Sequence, residues 1–331
     1  MRTNLLRFAA IAAVTLPMSM IGNFEALAAP KALRIAFNQS ITHPQAKALQ
    51  AASDKLEKAT EGRYKFQIYP NETLGDQRST VELVQNGALE FTLVANPLME
   101  NYNKDFGILG LPYLFDSVEH QKKVFTSDVL DELFGSLGDK NFQVVAAYTS
   151  GARNIYTDKP IKTPEDLKGY KIRVMQSETM VQIINLMGGV GTPMSQGEVY
   201  TAIQQKVIEG GENNEFIYSD LKHYEIAPYY SYTRHLMVAD ILVANKKFLD
   251  GLRDADRAAV LQVIKESVED EYTFWDEDLA KTKKTAEDNG AKFVDVDIKP
   301  FQERCLPLHE KATSASASAK KVYDAIRGLA D

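Results

Sequence analysis

The sequence predicts an α/β protein built from two domains, each with a mixed, mainly parallel sheet covered by helices. Short apolar runs alternate with helical patterns over residues 33–96, and the same alternation begins again near residue 143. This β-α-β-α-β order is typical of sheets with helices on their faces. A chain of 331 residues with 44% apolar content is also long enough to form two cores.

The first block contains three predicted strands, "LRIAFN", "YKFQIYP" and "ALEFTLVAN". A helix is predicted between the first two, because Leu49, Ala52, Leu56 and Ala59 follow one another at spacings of 3, 4 and 3. Gly62 is suited to end that helix. The segment "DQRSTVELVQNG" predicts the helix between the second and third strands.

The second block has strands at "FQVVAAYTS", "YKIRVM" and "VIEGGENN" and helices at "SETMVQIINLMGG" and "GEVYTAIQQ". In "KTPEDLKG", Thr163 is a typical N-cap and Pro164 suits the first position of a one-turn helix. We expect domain 1 to comprise 29–150 with part of 236–331, and domain 2 to comprise 151–235.

A long helix is predicted from about residue 254 to residue 289. At 1.5 Å per residue it would be about 54 Å long, which exceeds what one domain can cover, so we expect it to span both domains. The strand "LMVADILVAN" before it is a candidate to cross between the domains. The apolar stripe of the helix comprises Leu261, Ile264, Val268, Tyr272, Trp275 and Leu279.

The N-terminus has the pattern of a secretory signal peptide over residues 1–28. Arg2 and Arg7 precede the apolar run "FAAIAAVTLPMSMIG", and Ala26-Leu27-Ala28 offers a cleavage site. A membrane anchor is the alternative, but the run is shorter than the roughly 18–20 residues that span a bilayer, and Pro17 interrupts it. We therefore expect an exported, periplasmic protein. Its single cysteine, Cys305, cannot form an internal disulfide.

Composition and motifs exclude several classes of function. A net charge of −7 and a pI near 5.4 argue against nucleic acid and anionic membranes as main partners. The sequence has no motif for phosphate loops, dinucleotides, zinc proteases or serine nucleophiles, and its five histidines lack metal-ligand spacing. We therefore predict neither an enzyme nor a bound metal or cofactor.

Polar residues at strand ends of the second block predict an anion-binding cleft. Arg173 lies within a strand, and Arg153 follows another. Arginine binds a carboxylate through two parallel hydrogen bonds, and asparagine offers a donor and an acceptor. Asn213 and Asn214 end a third strand. We predict that these two arginines and two asparagines contact the ligand.

An internal ion pair is the alternative for the arginine within the strand. Arg173 could pair with Glu178 or Glu212 while its aliphatic stem packs on apolar neighbours. The residue pattern alone leaves both possibilities open.

Further candidate ligand contacts lie on loops of domain 1 and after the "ENN" segment. On the loops, each polar side chain could bind ligand hydroxyls or cap a helix or turn. Phe216 could stack on a sugar face or pack into the hinge. The candidates on the loops are Asn38, His43, Gln77, Arg78 and Asn96.

The whole predicted mature chain resembles the periplasmic solute-binding proteins of tripartite ATP-independent periplasmic (TRAP) transporters. The resemblance rests on "GRYKFQIYPNETLGDQRSTVELVQNGALEFTLV", "GILGLPYLF", "TPEDLKGYKIRVMQSE" and "VIEGGENN", followed by the long helix. It implies a type II-like periplasmic binding protein, in which two domains joined by hinge strands close on a small organic anion. It also implies delivery to a membrane permease driven by a sodium gradient.

The resemblance also assigns roles to individual residues. Arg173 matches the arginine that grips the ligand carboxylate, Arg153 a second arginine of many sugar-acid binders, and Asn213 the asparagine of the "GEN" segment. A hexuronate or aldonate is the expected ligand, and a C4-dicarboxylate with one arginine per carboxylate is the alternative. A secreted enzyme acting on sugar acids and a partner of a membrane sensor remain as other classes of function.

Overall fold

The computed structural model describes residues 29–330, and the predicted signal peptide lies outside them. Nine strands form one mixed sheet, with helices on its faces. The strands are β1 (Lys31–Phe37), β2 (Tyr64–Tyr69), β3 (Phe91–Ala95), β4 (Phe142–Thr157), β5 (Lys171–Val174), β6 (Val190–Pro193), β7 (Gly210–Asn213), β8 (Tyr229–Asn245) and β9 (Lys292–Val294).

Eleven α-helices connect or follow these strands in the described part of the chain. They are α1 (Pro44–Ala59), α2 (Gln77–Asn86), α3 (Val118–Phe125), α4 (Asp131–Gly135), α5 (Glu178–Met187), α6 (Val199–Gln204), α7 (Glu215–Asp220), α8 (Lys246–Asp250), α9 (Asp254–Asp288), α10 (Lys299–Ala315) and α11 (Ala317–Arg327). The predicted one-turn helix is a 3₁₀ turn over Pro164–Leu167, and Thr163 and Asp166 form its capping box.

The sheet order is β2-β1-β3-β8-β4-β7-β5-β6, with β9 beside β8. Strands β1, β2 and β3 pair in parallel, and so do β5, β6 and β7. The two central strands, β4 and β8, are antiparallel to each other and to their outer neighbours β7 and β3. This arrangement is the two-domain binding-protein fold predicted from the sequence.

The two central strands are much longer than the others, and they connect the parallel group β1–β3 to the parallel group β5–β7. The N-terminal half of β4 lies beside the part of β8 that pairs with β3, and its C-terminal half pairs with β7. Their register shifts between Thr149 and Ala152 and again between Arg153 and Ile155. Such bulges bend strands locally. We propose that the chain crosses between the domains here, near residues 150 and 235.

The long helix α9 begins and ends within one residue of its predicted bounds. Near its start Val260 and Ile264 pack with α1 and β3, whereas Ala286 near its end packs with Tyr156 and Tyr218 of the other domain. The helix therefore spans both domains.

The predicted apolar stripe of α9 is correct in its centre and shifted at its ends. Ile264, Val268, Tyr272 and Trp275 are buried as predicted. Leu261 and Leu279 are only half-buried, and the predicted stripe did not include Val260 and Val263, which are buried. The shift arises because α1 covers the first turns of the helix from one side. None of the described helices is both long enough and apolar enough to cross a membrane.

Candidate functional site

The carboxyl ends of the parallel strands from both domains meet at one cleft. Ligands of open α/β sheets bind at such strand ends. After β1, Asn38 and Gln39 reach across the cleft to Gln196, which precedes α6. Gln196 Nε2 donates to Gln39 Oε1 at 2.8 Å, and Gln196 Oε1 accepts from Asn38 Nδ2 at 3.3 Å. Ser40 Oγ donates to Asp220 Oδ2 at 3.2 Å. The two domains thus contact each other directly along this cleft.

Arg173 lies in β5 and is only 4% exposed. Its Nε donates to the backbone oxygen of Met194 at 3.0 Å. Among the described residues, no partner is within hydrogen-bonding range of its two terminal nitrogens, and no carboxylate oxygen lies within 4.0 Å of the guanidinium. Burial lowers the pKa of Arg173 from its ordinary value, and the nearby Glu212 and Tyr156 oppose that effect. A buried cation without a close counterion is destabilising, so an incoming anion would be strongly favoured.

The internal ion pair considered for this arginine is not formed. Glu178 lies 3.8 Å from Lys104, and Glu212 pairs with Arg153 instead. The planar fork of Arg173 is therefore available for a ligand carboxylate.

A small cavity beside Arg173 extends between the domains. It encloses about 20 Å³, which is room for about one water molecule, so a sugar-sized ligand requires the domains to move apart. Domain 1 contributes two carboxylates, the Arg78 cation, an amide and an apolar group, and domain 2 contributes the Arg173 guanidinium together with apolar, hydroxyl and amide groups. Its lining comprises Glu72, Asp76, Gln77, Arg78, Leu98, Arg173, Met175, Gln176, Met194, Ser195 and Gln196.

Arg153 is buried in β4, and its guanidinium forms hydrogen bonds with other residues of the protein. Its Nε and Nη2 donate to the Glu212 carboxylate at 2.5 and 2.8 Å, and Nη2 also donates to the backbone oxygen of Glu212. Its Nη1 donates to Asn213 Oδ1 at 2.8 Å. These bonds occupy four of the five N–H groups of a guanidinium. Desolvation would raise the pKa of Glu212, but Arg153 and His235 outweigh it and lower that pKa to about 2.

Asn213, the last residue of β7, and Asn214, which follows it, differ in which side-chain atoms remain without an internal hydrogen bond. Asn213 Oδ1 accepts from Arg153 and from the backbone N–H of Asn214, whereas its Nδ2 makes no hydrogen bond to a described residue. Asn214 is the N-cap of α7, and its Nδ2 donates to Ser150. Only the Asn213 amide is therefore available to a ligand without breaking an internal bond.

His43 and Phe216 belong to an aromatic cluster at the hinge. The two ring centroids are 5.6 Å apart, and each residue also contacts Trp275 of α9, at 5.8 and 4.5 Å respectively. His43 Nδ1 accepts from the backbone N–H of Gln45, so the proton of the neutral ring is on Nε2, which is buried and has no partner within residues 29–330. Burial lowers the pKa of His43 to about 3. His43 therefore offers a neutral donor at this place.

The remaining candidates of domain 1 are divided between the cavity and the protein interior. Gln77 lines the Arg173 cavity, although its Oε1 accepts from the backbone N–H of Ala95 at 2.7 Å. Arg78 also lines the cavity, with a side chain that is 67% exposed. Asn96 is fully buried, and its Nδ2 donates to the backbone of Phe106 at 2.9 Å. A ligand contact of these residues stays a prediction.

Two polar groups near Arg173 were not predicted from the sequence. Gly211, which pairs with Arg173, allows the Tyr156 ring to lie over the strand, because a Cβ there would be 2.5 Å from the Tyr156 hydroxyl. That hydroxyl is buried without a hydrogen-bond partner among the described residues, and so is Nδ1 of His223, whose ring centroid is 5.2 Å from that of Tyr156. The paired glycines of "EGGENN" were the only sequence signal for this close approach.

The site can hold one carboxylate on Arg173 and several hydroxyl or amide groups on the polar atoms around it. Together, the fold and the site define a solute receptor of the two-domain binding-protein class. No arrangement for catalysis is evident among the described side chains.

The chain belongs to the bacterial extracellular solute-binding protein family 7, whose model matches residues 35–315. It is 40% identical over 281 residues to the uncharacterized protein YiiZ of Salmonella typhimurium, covering 84% of this chain and 86% of that protein. The family match, together with the solved TRAP structures described next, confirms the resemblance to TRAP solute-binding proteins.

Solved TRAP periplasmic solute-binding proteins are similar over nearly the whole chain. One from Anaerococcus prevotii, with bound α/β-D-glucuronate, has 37% identity and a TM-score of 0.87 and covers 90% of this chain and 97% of its own. One from Xanthobacter autotrophicus, with bound β-D-galacturonate, has 32% identity and a TM-score of 0.85 and covers 89% of this chain and 99% of its own.

Proposed function

We propose that this chain is a periplasmic receptor that binds a hexuronate and delivers it to a sodium-coupled TRAP permease. The observation that carries the proposal is the buried Arg173, whose two terminal nitrogens have no partner in the described part of the chain. The proposal is supported by the glucuronate and galacturonate bound to similar proteins.

In this proposal the ligand carboxylate binds Nη1 and Nη2 of Arg173 in a bidentate manner. Ring hydroxyls then reach the free Nδ2 of Asn213 and the unpartnered Tyr156 hydroxyl and His43 Nε2. The ligand thereby bridges both domains and stabilises the closed state in proportion to its preference for that state. An open-chain aldonate carries the same charge and is the closest competing sugar acid.

A C4-dicarboxylate fits the site less well. That alternative requires one arginine for each carboxylate, but Arg153 is already neutralised by Glu212. A second ligand carboxylate would have to displace a buried ion pair, and breaking such a pair costs about 3–5 kcal/mol.

Export and delivery to a permease are part of the same proposal. The family is one of extracellular solute-binding proteins, and the predicted cleavage after Ala28 would release a mature protein beginning at Ala29. Intact-mass measurement of protein recovered from the periplasm tests this step. A mass that includes residues 1–28 would contradict it.

Isothermal titration of the purified receptor tests the ligand class. The panel is D-glucuronate, D-galacturonate, D-gluconate, succinate and, as a control without a carboxylate, D-glucose. We expect binding of a hexuronate, no binding of glucose, and recovery of the ligand unchanged. A ligand at 100 times its Kd should also add about 2.7 kcal/mol to stability. Tight binding of succinate with no binding of any sugar acid would overturn the proposal, and chemical turnover of the bound ligand would favour the enzyme hypothesis.

A further inference from the structure

We infer that Glu72 is a specificity residue that admits sugar acids with one carboxylate and rejects those with two. This inference rests on the proposed function, because it concerns the same cleft. By its charge, Glu72 would distinguish hexuronates and aldonates, which have one carboxylate, from hexarates and short dicarboxylates, which have two.

The loop between β2 and α2 holds Glu72 in a fixed position at the cleft. Asn71 and Glu72 are both in the left-handed region, each with φ of 56°, which is uncommon for residues other than glycine. Their backbone N–H groups donate to Gln39 and Phe37 at 2.9 and 3.2 Å, which ties the loop to the end of β1. A strained, anchored backbone of this kind points the side chain in a defined direction.

The carboxylate of Glu72 reaches domain 2 and lines the cavity of Arg173. A Cβ added at Gly197 would lie 2.8 Å from Glu72 Oε2, so the glycine makes room for the carboxylate. No lysine, arginine or histidine nitrogen of the described residues lies within 4.0 Å of Glu72. Arg173 and Glu72 therefore line one cavity as opposite charges without forming a direct ion pair.

The other charges around the cavity offer no clear place for a second ligand carboxylate. Asp76 adds another negative group, although its Oδ1 is engaged by the backbone N–H of Ser79. Arg78 is largely exposed to solvent, where ionic interactions are weak. Because Arg173 and Glu72 line the same small cavity, a ligand that places its first carboxylate on Arg173 would present a second one to Glu72.

Charge repulsion and hydrogen bonding act in the same direction at Glu72. Juxtaposed like charges at an interface cost several kcal/mol, whereas a ligand hydroxyl can donate a charge-assisted hydrogen bond to the carboxylate. Glu72 therefore favours a hydroxyl and disfavours a carboxylate at the same position. Discrimination of this kind needs a repulsive element as well as an attractive one.

A purely mechanical role for Glu72, as a clasp that holds the domains together at Gly197, makes a different prediction. Loss of a clasp would weaken every ligand by the same factor, because all of them need the closed state. The Glu72→Gln variant keeps an oxygen acceptor toward Gly197 but removes the charge. It therefore tests the charge specifically.

The experiment measures Kd by isothermal titration for D-glucuronate, D-glucarate and succinate with wild type and Glu72→Gln. Glu119→Gln, which removes an exposed carboxylate on α3, is the charge-matched control. We expect Glu72→Gln to lower the preference for glucuronate over each diacid by at least about tenfold, which corresponds to about 1.4 kcal/mol. Glucarate binding that appears only in Glu72→Gln would also support the inference. The control should leave the preference unchanged.

Two results would overturn the inference while leaving the proposed function intact. One is an equal change for glucuronate and the diacids, which would identify a clasp. The other is an unchanged preference, with diacids still excluded by Glu72→Gln. Failure of the wild type to bind any hexuronate would overturn the proposed function as well, and that failure is visible before any variant is made.

Discussion

Arg153 and Glu212 form a buried bidentate ion pair between neighbouring strands of domain 2. Arg153 Nε and Nη2 donate to the two carboxylate oxygens of Glu212 at 2.5 and 2.8 Å. The pair neutralises one of the two arginines at the cleft and leaves Arg173 as the available cation. It also orients Asn213, whose Oδ1 accepts from Arg153, so that the Asn213 amide nitrogen can face a ligand.

Breaking this pair should destabilise the protein strongly. Glu212→Gln leaves the Arg153 guanidinium charged and buried without a counterion, which should cost about 3–5 kcal/mol of unfolding free energy at pH 7. Urea denaturation followed by circular dichroism measures the loss. The double variant Arg153→Met/Glu212→Leu, which removes both charges, should recover much of it. A single variant as stable as wild type would show that the pair contributes nothing.

The same pair predicts how stability depends on pH. The pKa of Glu212 is lowered to about 2, since Arg153 and His235 outweigh the opposing effect of desolvation. A carboxylate with a lowered pKa stabilises the fold above its unfolded-state pKa of about 4.3 and loses that contribution as pH falls toward 2. The stability difference between wild type and Glu212→Gln should therefore shrink between those pH values. A difference that stays constant would contradict the assignment.

Periodicity was sufficient to predict most elements that position the site. The alternation of apolar runs gave β1, β2, β3, β5 and β7, and the helical stripe gave α9 within one residue at each end. The full lengths of β4 and β8 were not predicted, because Gly151 and the polar residues around it interrupt the apolar pattern at the hinge. Strand pairing across a bulge compensates for that interruption, and pairing is a property of tertiary structure.

The residue types of the site could be predicted, but their partners could not. Arg153 and Arg173 have equivalent positions in the sequence, at or near strand ends. The order of β4, β7 and β5 in the sheet decides which of them meets Glu212, and that order has no local signal in the chain. Tyr156 was missed for a similar reason, since it reaches Arg173 only across Gly211.

Truncating Arg173 should abolish most of the ligand affinity. We expect Arg173→Ala to cost about 2–5 kcal/mol of binding free energy, or roughly 30-fold to several-thousand-fold in Kd for the hexuronate. Arg173→Lys should also bind weakly, because an ammonium lacks the bidentate fork. Arg257→Ala, which removes a surface arginine 3.5 Å from Asp250, is the control and should bind normally. Wild-type affinity in Arg173→Ala, measured by titration, would refute the assignment.

His223 should make the protein less stable as pH falls. Burial, with a contribution from Arg173, lowers the pKa of His223 to about 3. His223 therefore stays neutral in the folded state at pH values below about 6.5, where it is protonated in the unfolded state. Each pH unit in this range should cost about 1.4 kcal/mol, so His223→Phe should gain about 2 kcal/mol relative to wild type between pH 7 and pH 5. Urea denaturation at both pH values measures this gain. The same stability difference at the two pH values would show that His223 titrates normally.

A side chain at Gly151 should distort the hinge where α9 crosses β4. Gly151 is left-handed, with φ of 58°, and a Cβ there would be 2.5 Å from Cζ2 of Trp275. Gly62 is also left-handed, with φ of 78°, but a Cβ there would meet no atom of the described chain within 4 Å, which makes Gly62→Ala a matched control. The left-handed backbone alone should cost about 1–2 kcal/mol in both alanine variants.

The displaced indole should distinguish the two variants. Trp275 is the only tryptophan of the chain, so the tryptophan fluorescence emission reports on the surroundings of this one side chain. We expect Gly151→Ala to shift the emission and to destabilise the fold by more than Gly62→Ala does, because the Trp275 ring must leave its present position, in which it packs on Phe216 and His43. Equal losses of stability with unchanged emission in both variants would mean that the hinge accommodates a methyl group, and that the close approach of Trp275 is not what requires glycine at position 151.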